Sequence, residues 1–287
     1  MLFASEGFDE VKKEFIVQVG FSETQKAILK YLYRKKQATI YRISKDLNIP
    51  IQTVKPALKN LERIGLIKLR EVKKGRGPYP VKECKITAFG LYVHLALADL
   101  DAFINRLIKD LQNLEEYLWI SIDTLTKLAK YQCIKELIAY AFLQFAMDHA
   151  RKILLRKLPK KEILLDLKVF AILFAYNLVN IVNAVVYKIS FTYYEKLREE
   201  SLDRKFENNL EHFEMFTLPF LEIAVYKPEI SIYVKENIVK KAVACIPHDL
   251  VKEVTLEMLR RRAIHLSLIH ISEPTRPLYI SYAVFCL

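Results

Sequence analysis

The stretch Asn48-Ile49-Pro50-Ile51-Gln52-Thr53-Val54-Lys55-Pro56-Ala57-Leu58-Lys59-Asn60-Leu61-Glu62-Arg63-Ile64-Gly65 decides how this chain is to be read. Apolar residues at Val54, Ala57, Leu58, Leu61 and Ile64 recur at steps of three and four, which gathers them on one face of a helix. The opposite face carries Gln52, Thr53, Lys55, Lys59, Asn60 and Arg63, side chains able to hydrogen-bond a base edge or pair with a phosphate. Gly65 stands where a left-handed glycine would end such a helix. Upstream, Ile40, Ile43 and Leu47 predict a shorter helix, joined to the first by a tight Asn48-Ile49-Pro50 turn. Downstream the period changes to alternation in Leu66-Ile67-Lys68-Leu69-Arg70-Glu71-Val72 and in Val81-Lys82-Glu83-Cys84-Lys85-Ile86. The Gly/Pro-rich run Gly75-Arg76-Gly77-Pro78 between them predicts a hairpin.

Helix, turn, helix and basic hairpin in that order make a winged helix-turn-helix. The charge distribution agrees with that reading. Residues 21–86 hold 17 Lys/Arg and 5 Asp/Glu, an excess of 12 that equals the formal net charge of the whole chain, +12. The remainder is electrically balanced, so the entire cationic surplus lies on the segment patterned to read DNA.

The run Ile43-Ser44-Lys45-Asp46-Leu47-Asn48-Ile49, with Thr53-Val54, Leu58 and Leu61-Glu62-Arg63-Ile64-Gly65-Leu66-Ile67, resembles the DNA-binding core of MarR/PadR-type regulators. So does Thr87-Ala88-Phe89-Gly90, which is similar to the T-x-x-G that opens their fourth helix. The resemblance covers residues 21–95. It departs at Pro50 and Pro56, where relatives more often carry a capping Ser and a polar residue, and Pro56 could bend the reading helix. It implies double-stranded DNA as partner, with Gln52, Thr53, Lys55 and Lys59 on bases or flanking phosphates and Arg63 on the same face. Arg76 would enter the minor groove, Lys73 and Lys74 would pair with phosphates, and Tyr41 and Arg42 would clamp the adjacent strand. In these families the helix after the wing leads into a dimer interface. The apolar residues Leu91, Leu95, Phe103, Leu107 and Leu111 therefore admit two readings, self-association as a homodimer or packing within their own chain.

The expected organisation is an N-terminal arm over residues 1–20, with a short strand at Phe15-Ile16-Val17-Gln18-Val19. A winged helix over 21–90 follows, opened by the capping box Ser22-Glu23-Thr24-Gln25, and then an all-α dimerisation or effector domain over 91–265. The fold class is thus mainly α. One helix is expected from Thr87 through about Leu114 or Tyr117, and others near residues 119–130, 131–157, 191–209, 210–226, 230–243 and 250–263. Residues 266–287 resemble the conceptual translation of a sequencing adapter and its primer, and are expected to be foreign to the natural protein.

The uncharged run 169–187 is nearly long enough to cross a bilayer. Asn177, Asn180 and Asn183 recur in it, and amides unpaired in lipid are costly, so it reads as a core helix with a membrane span as the lesser alternative. The stripe Tyr176, Asn177, Asn180, Asn183 and Tyr187 could line a small-molecule effector pocket or serve as interhelical hydrogen bonding. Cys84, Cys133, Cys245 and Cys286 form no C-x-x-C pair, so no metal site is expected, and the first twenty residues show no apolar signal core. Phosphate-cradling glycine motifs, H-E-x-x-H and G-x-S-x-G are absent from the sequence, and no enzyme and no cofactor are expected. The many Lys, Ile and Tyr with few Gly fit an archaeal or thermophile source. These readings converge on a cytoplasmic, sequence-specific transcriptional regulator. The alternatives are a plasmid or viral replication or maintenance protein and a protein-interaction winged helix.

Overall fold

The computed structural model describes residues 3–72, 81–155, 160–203 and 235–272. The architecture is mainly helical with a small three-stranded sheet, and the chain forms two compact units. One comprises residues 6–106 and 142–177; the other comprises 1–5, 107–141 and 178–287.

In the first unit, α1 (Phe3–Val19) is a helix where an arm with a short strand is expected. Phe8, Val11 and Phe15 fall on one helical face and are buried there. Gly20 at φ +64° ends the helix, its N–H donating to the Val17 carbonyl at 3.2 Å while the Phe21 N–H reaches Ile16 at 2.8 Å. The next helix, α2 (Glu23–Lys35), begins with the expected capping box: the Gln25 N–H donates to Ser22 Oγ and the Ser22 N–H to Gln25 Oε1.

After α2 come β1 (Gln37–Thr39), α3 (Ile40–Leu47), α4 (Ile51–Arg63), β2 (Ile67–Val72) and β3 (Val81–Ile86). The hairpin strands pair as the alternation implies, Ile67 opposite Ile86 and Val72 opposite Val81. β1 was not anticipated. It adds antiparallel to the free edge of β3, with Ala38 opposite Cys84, so the sheet order is β1-β3-β2. Its three residues are too few to show a period. Ile28, Leu29, Leu32, Ile43, Val54, Leu58 and Leu61 are all fully buried and form the centre of the helical triad. Each such side chain contributes roughly 1.5–3 kcal/mol relative to exposure.

α5 (Ala88–Ala98) starts at Thr87, whose hydroxyl oxygen accepts from the Gly90 N–H at 3.0 Å. The same hydroxyl lies 2.7 Å from the Gly65 carbonyl, to which it donates. One side chain thereby ties the helix after the wing to the loop before it. The single long helix expected from Thr87 is broken at Asp99, which is extended and caps α6 (Leu100–Leu111) by accepting from the Ala102 N–H at 3.0 Å. Phe89 and Tyr92 of α5 meet Phe103 of α6, Phe142 and His149 of α8 (Gln132–Leu155), and Phe170 and Phe174 of α9 (Lys160–Asp203), mostly edge to face.

In the second unit a 3-10 turn (Gln112–Tyr117) leads to α7 (Ile122–Leu128), and α10 (Glu236–Val243) and α11 (His248–Ser272) follow later in the chain. Arg261 of α11 bridges Glu115 at 3.3 Å and Glu257 at 3.1 Å, and Glu257 accepts the Ser121 N–H at 2.7 Å. Lys127 pairs with both Asp123 and Glu253. Residues 169–187 lie inside α9, whose segment Leu167–Lys196 is long and apolar enough to cross a membrane and is half buried within the fold. The helix expected over 210–226 lies outside the described residues, as do 273–287 of the expected foreign tail; Leu266–Ser272 continue α11.

Candidate nucleic-acid interface

The interface is built from α3, α4 and the hairpin. Thr39 caps α3 by accepting the Arg42 N–H at 3.2 Å, and the chain turns at Asn48 in the left-handed region, φ +53°. The Ser44 hydroxyl donates to the Ile49 carbonyl at 2.6 Å, holding the turn from inside. The Tyr31 hydroxyl donates to the Asp46 carboxylate at 2.7 Å; burial and that bond push the Tyr31 hydroxyl above its ordinary pKa. α3 is thus pinned to α2, which sets the angle at which α4 is presented.

α4 begins at Pro50, whose carbonyl accepts the N–H groups of Thr53 and Val54 at 2.9 and 3.0 Å. The helix runs on through Pro56, and the missing Pro56 N–H leaves the Gln52 carbonyl without its intrahelical partner on the outer face. At the other end Leu66 N–H bonds Leu61 O and Gly65 N–H bonds Glu62 O, with Gly65 at φ +82°. Val54, Ala57, Leu58 and Leu61 are buried; Gln52, Thr53, Lys55, Lys59 and Asn60 are exposed in a row. The Lys59 ammonium therefore sits on the outer surface, as a groove-facing helix requires.

Tyr41 and Arg42 open α3 and are both well exposed, at 65% for Tyr41; Arg42 leans on Asp46 at 3.7 Å. Arg63 is exposed as well, but its Nη2 donates to the Leu154 carbonyl at 3.3 Å, tying the end of α4 to α8. Lys73, Lys74 and Arg76 lie outside the described residues. On the solvent face of the sheet, Lys68 stands directly opposite Lys85, and Arg70 opposite Glu83. Like charges facing one another across strands are unfavourable, and an anion against that face would relieve the pair. Lys68, Arg70 and Lys85 are exposed cations absent from the expected contact set, although strand alternation alone assigns them to the face away from Cys84.

The Tyr/Asn stripe of α9 has mixed surroundings. Tyr176 and Asn180 are exposed, Asn177 is half-buried, and Asn183 and Tyr187 are buried. Burial, with the Glu195 charge adding to it, pushes the Tyr187 hydroxyl above its ordinary pKa. The Asn183 amide is occupied: Oδ1 accepts the Trp119 N–H at 2.9 Å and Nδ2 donates to the Tyr117 carbonyl at 3.0 Å. Asn183→Leu should cost about 2–3 kcal/mol, because both backbone groups would be left unsatisfied. Urea denaturation measures it, and an unchanged midpoint would show the amide to be dispensable. Within the same unit, α7 and α11 flank a cleft of about 630 Å³ lined by Ser121, Thr124, Asp249, Lys252 and Arg260 among others. No group of His, Cys, Asp or Glu suited to a metal ion occurs among the described residues.

Residues 17–84 match a family model described as sugar-specific transcriptional regulator TrmB. Over 50 residues the chain is 46% identical to an uncharacterized HTH-type transcriptional regulator of Methanocaldococcus jannaschii, an alignment covering 17% of this chain and 12% of that protein. A solved structure described as the transcriptional regulator homologue protein from Pyrococcus horikoshii OT3 is 26% identical, covers 33% of this chain and 97% of that one, and has a TM-score of 0.26. The chain thus spans about an eighth of the length of the curated relative it matches. The similarity falls on the helix-turn-helix portion, residues 17–84.

Proposed function

We propose that the protein is a double-stranded DNA-binding transcriptional regulator that reads its operator with α4. The observation that carries this reading is the exposed row Gln52, Thr53, Lys55, Lys59 and Asn60 on a helix held by α2 and α3, inside a segment that carries the whole net charge. The family model matched by residues 17–84 supports the same reading, and the motif resemblance to MarR/PadR-type regulators, themselves winged-helix DNA readers, is consistent with it.

The proposed mechanism is major-groove insertion of α4, with Gln52 and Thr53 at base edges and Lys55 and Lys59 at flanking phosphates. Tyr41 and Arg42 lie beside the strand, and the wing residues Lys73, Lys74 and Arg76 follow the backbone or the minor groove. Lys68, Arg70 and Lys85 extend the cationic track along the hairpin. Arg63 acts from its tie to α8 by fixing the far end of α4. No catalytic step and no cofactor belong to this mechanism, and the proposed site of action is the cytoplasm.

Binding as a homodimer to two half-sites is part of the proposal. Leu95, Phe103, Leu107 and Leu111, expected either to pair subunits or to pack internally, are buried within the chain. The support for self-association comes instead from α9, where Val169, Ile172, Leu173 and Tyr176 leave an exposed apolar stripe. A small-molecule effector also belongs to the proposal. The matched family is described as sugar-specific, and the polar cleft between α7 and α11 suits a hydroxyl-rich ligand better than the Asn183 stripe, whose amide is already engaged.

Fluorescence anisotropy with labelled duplex DNA over a range of salt tests the proposal. Affinity should fall steeply with salt, and replacing Lys73, Lys74 and Arg76 with Ala should flatten the log–log slope by about 2–3. A slope unchanged by the triple replacement would show the wing to be idle. Absence of binding to duplex even in dilute buffer would end the reading altogether. A genomic DNA pull-down then identifies the operator and separates a regulator from a replication or maintenance factor by where the sites fall.

A further inference from the structure

The far end of the reading helix is held by two helices that lie outside the winged helix. Arg63 is the last residue of α4, and helical period sets it with Lys59, four positions back, on the face expected to meet DNA. Its guanidinium goes elsewhere: Nη2 donates to the Leu154 carbonyl at 3.3 Å, and Arg63 forms no ion pair among the described residues. Leu154 is the penultimate residue of α8, so its carbonyl is one of the four at a helix end that lack an intrahelical partner. The helix dipole favours a cation at that end in addition to the hydrogen bond. Two positions on, the chain turns at Gly65 with φ +82°, and this turn meets α9: a Cβ on Gly65 would lie 2.8 Å from Leu167 Cδ2. Arg63, Gly65, Leu154 and Leu167 all belong to one compact unit.

We propose that this anchor point regulates DNA affinity: Arg63 and Leu167 are positioning residues through which α8 and α9 set the angle of α4, so that displacing either helix end weakens operator binding without removing a DNA contact. The proposal rests on the reading of α4 as the groove-entering helix and adds the place from which that helix is controlled. The near end of α4 is fixed from inside the motif, by the turn at Asn48 and the bond from Tyr31 to Asp46. The far end has one hold inside the motif, Glu62 Oε1 accepting the Leu69 N–H of β2 at 3.2 Å. Its other holds are Arg63 on α8 and Gly65 against α9.

Leverage makes such an anchor effective. α4 has 13 residues and is about 20 Å long. A shift of about 1–2 Å, the usual size of helix movements at interfaces, would tilt its outer face by several degrees against the groove. Hydrogen bonds to base edges depend on that angle, whereas phosphate attraction tolerates it. Operator binding should therefore respond more strongly than binding to random duplex.

The test uses the full chain in fluorescence anisotropy, on an operator recovered by genomic pull-down and on random duplex. Arg63→Met keeps the aliphatic reach and removes the donor; Arg63 is exposed, so the fold should be retained. The expected result is a loss of about tenfold in operator affinity at an unchanged salt slope. A slope lowered by about one would put Arg63 on a phosphate and overturn the proposal. Operator affinity equal to that of the wild type would overturn it too. Gly65→Ala drives a methyl against Leu167 and should also weaken operator binding, and Leu167→Ala in the same chain should recover most of that loss. A double variant as weak as Gly65→Ala alone overturns the proposal. Hydrogen exchange on the free chain supplies the readout without DNA: the amides of Ile64, Gly65 and Leu66, bonded to Asn60, Glu62 and Leu61, should exchange faster in Arg63→Met. A wild-type chain that binds no duplex removes the reading of α4, and the proposal with it. Wild-type binding with exchange at 64–66 unaltered by Arg63→Met removes the proposal alone.

Discussion

Gly90→Ala should unfold or severely weaken the winged helix, although it adds one methyl group to a helix. Alanine in place of glycine would ordinarily stabilise a helix interior by about 1 kcal/mol. Here the added Cβ would overlap the Leu66 carbonyl oxygen and lie 2.8 Å from the Leu66 carbonyl carbon. Both are backbone atoms and cannot rotate away. Leu66 cannot retreat either, because its carbonyl accepts the Thr87 N–H at 3.0 Å and its N–H is bonded to Leu61. A net loss on the order of 4 kcal/mol is expected, which corresponds to a drop of roughly 10 °C in Tm for a chain of this size. Gly20→Ala is the comparator: φ is +64° there, but no atom lies within 4 Å, and only about 1 kcal/mol should be lost. If the two variants melt together, the close approach of α5 to Leu66 is not what Gly90 serves.

The second large effect should come from the outer face of α4. Replacing Gln52, Thr53, Lys55 and Lys59 together with Ala should weaken operator binding by roughly 4 kcal/mol, about a thousandfold, on the proposed mechanism. The melting temperature should hardly move, since all four side chains are exposed. The parts should separate. Lys55→Ala and Lys59→Ala should weaken binding to any duplex and each lower the salt slope by about one, while Gln52→Ala should reduce discrimination between operator and random DNA. Electrophoretic mobility shifts on both duplexes read this out. A quadruple variant that binds operator as tightly as the wild type would remove α4 from the groove.

What the sequence revealed about the fold was whatever is decided within one or two helical turns. The capping box at Ser22, the stop at Gly65 and the split of α4 into buried and exposed faces all depend on neighbours within about six positions. The break at Asp99 is equally local, but it was masked because apolar spacing continues on both sides of it and hides the cap. β1 escaped notice because its only evidence is a partner strand far along the chain. The same limit applies to side-chain roles. Nothing near Asn183 in sequence says that its amide will hold the backbone of Tyr117 and Trp119, and nothing near Arg63 points to Leu154. Helical period shows which residues face inward; it does not show whether the surface they meet belongs to the same chain or to a second copy, as Phe103 and Leu107 illustrate.

The aromatic seam through Phe89, Tyr92, Phe142 and Phe174 makes the recognisable module and the self-sufficient one different in length. The match to the family model ends at Cys84, whereas the apolar packing continues into helices supplied more than fifty positions later. Swapping the reader alone onto another protein would leave half of a shared wall behind. In such a chain, inheritance by shuffling is constrained by the oily joint on the far side of the winged helix.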